Sequence, residues 1–201
     1  MNEPPWRCVC IPLAEQCVVP WRNGGGSTRE VAIEPAGATV AAGFVWRISV
    51  ASVAADGPFS AFPGVDRCLW LVRGAGMVLE VAGPTPARVV LDRPGQRYDF
   101  AGETPIAARL LDGPNEDLNV MVARDRAVVR AGWHELAPDS VWHAQLPPGE
   151  HVLLLVRGGV LAAATAALEQ GDALRVDGAG RLALRAAAAP CAFLLASFTR
   201  R

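Results

Sequence analysis

Turn-forming residues are spread along the whole chain, and this spacing limits the fold more than any other feature of the sequence. The 201 residues include 20 glycines and 16 prolines, which cut the sequence into short stretches rich in Val, Leu and Ile. Residues 44–54, 68–81, 88–91, 119–123 and 151–157 are such stretches. Between them stand turn signals such as Asn23-Gly24, Asp56-Gly57-Pro58, Pro63-Gly64, Arg93-Pro94-Gly95, Asp112-Gly113-Pro114 and Pro147-Pro148-Gly149. Long helices do not tolerate this pattern, because proline removes an amide donor and glycine costs backbone entropy inside a helix. Short apolar runs bounded by turns predict an all-β sandwich or barrel. Helices are expected only as short pieces, around residues 105–110 or 140–145.

The halves of the chain repeat. Leu71-Val72-Arg73-Gly74 recurs as Leu155-Val156-Arg157-Gly158, 84 residues later. Further on, the segment 95–102 (GQRYDFAG) aligns with 171–178 (GDALRVDG), 76 residues later. The eight-residue difference between these offsets predicts a shorter hairpin in the second copy. In each copy an apolar strand ends at Gly, a hairpin follows, and a Gly-led strand enters a second turn. The alanine-rich segment 161–168 has helical propensity, but the repeat sets it opposite residues 77–81 and so predicts strand.

Composition removes several function classes. All 19 basic residues are arginine, and the chain has no lysine. Schiff-base, pyridoxal and phosphate-loop chemistry each require a lysine amine. The net charge of −1 predicts neither nucleic acid nor anionic membrane as partner, since both need a basic surface. No apolar run reaches the ~18 residues of a membrane span, and the N-terminal residues do not read as a signal peptide. Five cysteines without a CxxC pair are expected to be reduced residues on strands. His134, His143 and His151 form no HxH or HxxxH pair, so no metal or other cofactor is expected. Surface or strand-capping positions suit them.

Polar residues concentrate in the first two thirds. The segment Trp21-Arg22-Asn23-Gly24-Gly25-Gly26-Ser27-Thr28-Arg29-Glu30 is neither a phosphate loop nor a Rossmann loop. It reads as a turn with exposed N–H groups leading into a strand that carries Thr28 and Glu30 on one face. In the strand at 44–50, Arg47 and Ser49 share one face, while Trp46, Ile48 and Val50 share the other. An Arg47 turned inward needs an acid, a set of carbonyls or an anionic ligand, because an unpaired buried charge costs several kcal/mol. Glu30 is the candidate internal partner. A third cluster, 56–67, sets Ser60 and Arg67 among turn formers and two phenylalanines. In a fourth, 112–121, Asn119 and Met121 alternate on a strand after an acidic turn.

Taken in order, four stretches resemble the HutD/Ves family of bacterial proteins associated with histidine utilisation: residues 21–30, Trp46-Arg47-Ile48-Ser49-Val50-Ala51, the segment 56–67, and Asp117-Leu118-Asn119-Val120-Met121. They span about residues 20–124. The chain departs from the family pattern at Leu118, usually Phe, and at Ala123-Arg124, usually paired arginines. The resemblance implies a bicupin, two antiparallel jelly-roll barrels in one chain, with residues 1–130 forming the N-terminal barrel and 131–201 a degenerate, structural C-terminal barrel. Strands exchanged between the barrels are allowed for. Many cupins hold a metal through an HxH set, but the matching strand here begins Asp66-Arg67-Cys68 and contains no histidine.

A cytoplasmic location is the default expectation from the sequence, and the resemblance implies an accessory or regulatory factor linked to histidine catabolism. It would bind a small acidic metabolite of the formylated or formimino glutamate type, without a metal. Arg47 and Arg67 are expected to hold the carboxylate. Asn23, Thr28, Ser49, Ser60 and Asn119 are expected to complete the hydrogen bonds, and Glu30 to orient an arginine or accept from the ligand. A homodimer is the assembly considered, with the oligomeric state left open by the sequence. Two further readings stay open: a metal-independent hydrolase or isomerase with Glu30 as general base, and a scaffold with a vestigial pocket.

Overall fold

A computed structural model describes residues 6–162 and 167–201. Among them lie nineteen strands and one 3-10 turn, at Leu13–Glu15. The strands are β1 (Trp6–Ile11), β2 (Cys17–Pro20), β3 (Gly26–Glu34), β4 (Trp46–Val53), β5 (Gly57–Pro58), β6 (Val65–Arg73) and β7 (Met77–Val81). They continue with β8 (Ala87–Leu91), β9 (Arg97–Ala101), β10 (Ile106–Leu110), β11 (Asn115–Ala123), β12 (Ala127–Leu136) and β13 (Val141–Leu146). The last are β14 (Glu150–Arg157), β15 (Val160–Ala162), β16 (Ala167–Leu168), β17 (Ala173–Gly178), β18 (Gly180–Ala186) and β19 (Cys191–Arg200). The fold is all-β, as the turn spacing predicts.

The two segments expected as short helices are strands β10 and β13. In β10 the alternation of buried Ile106 and Ala108 with exposed Ala107 and Arg109 is a period-two pattern, and burial of that face overrides the helical preference of Ala, Arg and Leu. In the alanine-rich segment, β15 and β16 pair antiparallel, and residues 163–166 lie outside the described residues.

The chain divides into two compact units. One comprises Cys17–Ala127; the other joins the N-terminal segment up to Gln16 to Val128–Arg201. The first unit has a six-stranded sheet, β2-β3-β4-β11-β6-β9, and a four-stranded sheet, β5-β10-β7-β8. Leu69 and Leu71 from the larger sheet share a buried cluster with Met77, Leu79, Leu91, Ile106 and Ala108 from the smaller. Burying each large side chain contributes roughly 1.5–3 kcal/mol.

The second unit has the sheets β1-β17-β14-β19-β12 and β13-β18-β15-β16, packed through Leu153, Leu155, Leu174, Leu182, Leu184 and Phe193. The N-terminal strand β1 therefore pairs with β17, at Trp6–Gly178 through Ile11–Ala173, rather than with the strands of residues 17–127.

The repeat has a direct structural counterpart. Leu71 donates its N–H to Gln96 O and accepts from Gly95 N; Leu155 donates to Asp172 O and accepts from Gly171 N. Strand β6 pairs with β9 and β11, as β14 pairs with β17 and β19. Each copy leaves its first strand through a glycine at positive φ, Gly74 at 106° and Gly158 at 78°. A side chain at Gly74 would also strike Asn115 Oδ1, so the turn needs glycine there on both counts.

The histidines depart from expectation at two positions, the first being His134, half-buried with its ring stacked on Phe193 at 5.0 Å. His143 is exposed, but His151 is buried. Its Nδ1 meets Ser197 Oγ at 2.8 Å, and its Nε2 meets the carbonyls of Pro147 and Gly178 at 2.9 and 3.2 Å. An imidazole with both nitrogens satisfied is stable inside a sheet.

Candidate functional site

One face of the six-stranded sheet carries the polar residues. The register sets Ser49 opposite both Glu30 and Asn119, and Met121 opposite both Arg47 and Arg67. Side chains two apart on a strand share a face, so Arg47, Ser49 and Ala51 of β4 lie beside Asp117, Asn119 and Met121 of β11. A β-bulge between Glu30 and Ala32 inverts the alternation of β3. Thr28 and Glu30 face inward before it, and Ile33 packs with Met121 after it. The opposite face holds the buried Trp46, Ile48, Trp70, Leu118 and Val120.

This polar face opens on a cavity of about 420 Å³. Seven of the eight residues singled out from the sequence line it: Asn23, Thr28, Arg47, Ser49, Ser60, Arg67 and Asn119. Glu30 stands beside the wall, its Oε2 accepting from Arg47 Nε at 2.9 Å. Arg47 Nη1 also donates to Ser49 Oγ at 3.2 Å. Bonds on both ends fix the plane of the guanidinium.

Arg67 is the most constrained cation in the first unit. Its residue is 7% exposed. Nη2 donates to Asn119 Oδ1 at 2.6 Å, Nη1 donates to Ser60 O at 3.3 Å, and the buried Nε has no partner. Three phenyl rings surround the guanidinium, with centroids at 5.4 Å (Phe59), 5.3 Å (Phe62) and 4.8 Å (Phe100). Their negative faces replace part of the lost hydration. Burial pulls Arg67 down to about 10, opposed by Asp117 and assisted by Arg47.

Behind Asn119 lies Asp117, 1% exposed. Its Oδ1 accepts from Asn119 Nδ2 at 2.5 Å, completing a chain from carboxyl to amide to guanidinium. Burial pushes Asp117 up to about 7, against the opposing pull of Arg67 and of the Asn119 hydrogen bond. Sequence reasoning missed this residue. The run Asp112-Gly113-Pro114-Asn115-Glu116-Asp117 looks like an acidic turn, yet β11 starts at Asn115. The signal was the i, i+2 relation of Asp117 to Asn119 and Met121.

The glycine-rich segment is the expected turn, but its exposed N–H groups are engaged locally. Gly24 N donates to Trp21 O at 3.1 Å and Gly25 N donates to Asn23 Oδ1 at 3.1 Å, so both amides are consumed within the turn. The turn serves instead to place Trp21, whose Nε1 donates to Thr28 Oγ1 at 2.7 Å. Any side chain at Gly26 would meet both Ser52 O and the Trp21 ring, so glycine is what lets the indole lie over the strand. Trp21, Phe59 and Phe62 add an apolar component to the cavity wall.

These donors do not fit a divalent cation. No His or Cys lines the cavity, and its carboxyl, Asp117, lies among arginines. Among the described residues there is no cluster of three or more His, Cys, Asp or Glu side chains suited to hold a metal. What the wall offers is hydrogen-bond donors and positive charge. Arg22 and Arg67 carry no direct ion pair among the described residues, and Arg47 is paired with Glu30.

The comparisons agree with one another. The chain is 42% identical over 107 residues to protein Ves of Citrobacter koseri, a match covering 53% of each chain. It is 36% identical over 117 residues to a 21.2 kDa protein from the hutC 3′ region of Pseudomonas putida, covering 58% of this chain and 59% of that one. These matches span little more than half the length of the curated relatives. Among solved structures, HutD from Pseudomonas fluorescens SBW25, determined in a formate condition, superposes with a TM-score of 0.79 at 30% identity, covering 97% of this chain and all of that one. A bacterial pirin from Escherichia coli, solved with nickel(II), shares the fold with a TM-score of 0.71 at 11% identity, over 95% of this chain and 98% of that one. The architecture is thus a cupin-like all-β fold. The HutD family matches residues 14–194, and this chain belongs to the HutD family.

Proposed function

We propose that each unit is a cupin-type barrel, and that the cavity of residues 17–127 binds a small carboxylate without a metal. The observation that carries this reading is the wall itself: two arginines, Arg47 held by Glu30 and Ser49 and Arg67 by Asn119 and the Ser60 carbonyl, beside hydroxyl, amide and aromatic groups. A guanidinium matches a carboxylate bidentately, and a cavity of this size suits a metabolite rather than a polymer. The relative from the hutC region and the HutD neighbour support a place in histidine catabolism, as an accessory or regulatory factor acting in the cytoplasm. The ligand class is then a formylated or formimino glutamate or a related acid.

Glu30 supports binding over turnover. Its carboxylate is engaged by Arg47 and stands outside the cavity lining, which is poor placement for a general base. Its role is to orient Arg47.

A thermal-shift screen with urocanate, formiminoglutamate and N-formyl-L-glutamate tests the proposal. At 100 times Kd a true ligand adds about 2.7 kcal/mol of stability. That gain should disappear in Arg47→Ala and Arg67→Ala. A shift that survives both substitutions, or none with any of these acids, refutes it.

A further inference from the structure

Asp117 lines the cavity, yet it has no direct contact with a cation: among the described residues its only hydrogen bond is the one its Oδ1 accepts from Asn119. Its other oxygen is left for whatever enters. The charged groups facing it are Arg67 on β6 and Arg47 on β4, with Glu30 on β3 held by Arg47 and Arg22 in the turn before β3. No histidine lines the space.

From this arrangement, and resting on the reading of the cavity as a carboxylate site, we infer that the cavity takes up its anion together with one proton, which Asp117 holds. An anion that pairs with Arg67 withdraws the positive charge supporting an ionised Asp117 and brings a second negative charge close to it. Two carboxylates in one desolvated site do not both stay ionised. The proton goes to Asp117, whose free oxygen then donates to the ligand instead of repelling it. No covalent bond changes; one proton leaves solvent for the Asp117 carboxylate. Asp117 thereby selects for ligands presenting an acceptor at that point and against those presenting an ammonium group.

The ionisation of Asp117 already sits near neutrality in the free protein, so the coupling is measurable under ordinary conditions. The experiment titrates N-formyl-L-glutamate, with glutarate as a second probe, into the full chain by calorimetry from pH 6 to pH 8.5. N-formyl-L-glutamate is ionised throughout this range, and glutarate from about pH 7 upward, so the glutarate titrations are compared over that upper part. Proton linkage to a group titrating near 7 predicts an affinity loss of about thirty-fold across the full range. At pH 7.5, two buffers of different ionisation enthalpy should report uptake of about 0.8 proton per anion bound. Asp117→Asn supplies a permanent amide donor and should bind with one affinity at every pH. The two-buffer measurement on the native chain stands on its own if that variant fails to fold.

Tight binding with a flat pH profile and no proton uptake overturns the role of Asp117 and leaves the carboxylate site intact. Absence of binding by either probe at every pH overturns both.

Discussion

Replacing Asp117 by Asn should abolish the pH dependence that this buried carboxyl imposes on folding. Asp117 is 1% exposed and its ionisation is raised from 3.8 to about 7. Between those values the folded chain holds a proton that the unfolded chain has released, so stability falls as pH rises through this window. About three units at 1.36 kcal/mol each is about 4 kcal/mol, absent below pH 4 and fully expressed above pH 8. Asparagine keeps the acceptor for Asn119 and carries no charge. Urea denaturation at pH 5, 6, 7 and 8.5 compares the two chains, with equal m-values confirming a common unfolding reaction. The variant should gain on the native chain by about 2.7 kcal/mol between pH 5 and pH 8.5, since part of the effect lies below pH 5. A stability difference that stays constant over this range would show that Asp117 is ionised and well compensated in the folded state.

Other substitutions probe separate parts of the site and its support. Arg67→Lys replaces a planar fork held by Asn119, Ser60 and three rings with a point charge; carboxylate affinity should drop at least ~tenfold, read by calorimetry. Glu30→Gln keeps an acceptor for Arg47 but removes the neutralising charge, so anion affinity should rise about fivefold, the ~1 kcal/mol of one unit charge at a few ångströms in water-like surroundings; a fall instead would mean that Glu30 itself contacts the ligand. Asn115, 2% exposed, accepts from Gly76 N at 2.7 Å and donates to Gly76 O at 2.8 Å. Asn115→Ala strands both backbone groups and should cost about 2–4 kcal/mol in urea unfolding, with no change in ligand affinity at a temperature where the chain is folded.

The strands were legible because their boundaries are set by residues with hard local constraints. The repeat was legible for the same reason: Gly74 and Gly158 occupy positive-φ positions that leave each copy at the same point. Segments β10 and β13 misled, since Ala, Arg, Leu and Gln have helical propensity and only burial of one face selects strand for them. The N-terminal strand β1 shows a different limit. Its partner, β17, lies more than 160 residues away, and nothing local in Trp6–Ile11 names that partner.

Within the site, alternation placed Arg47 with Ser49 and Thr28 with Glu30, because each pair lies on a regular piece of strand. The bulge after Glu30 left no mark in the sequence, yet it is what brings Ile33 to the same face as Met121. Asp117 escaped notice because an acidic residue after Gly-Pro resembles a solvated turn. Only the pairing of β11 with β4 and β6 on both sides shows that it is buried. The unexpected residues thus depend on long-range pairing, whereas those found early depend on local pattern.

The most direct test of the account is the crystal structure of this chain grown with N-formyl-L-glutamate. The acid should lie inside the cavity of residues 17–127, with a carboxylate on Arg67 or Arg47 and Asp117 within hydrogen-bonding distance of it. A cavity holding only water at saturating acid, or the acid bound away from both arginines, would contradict it.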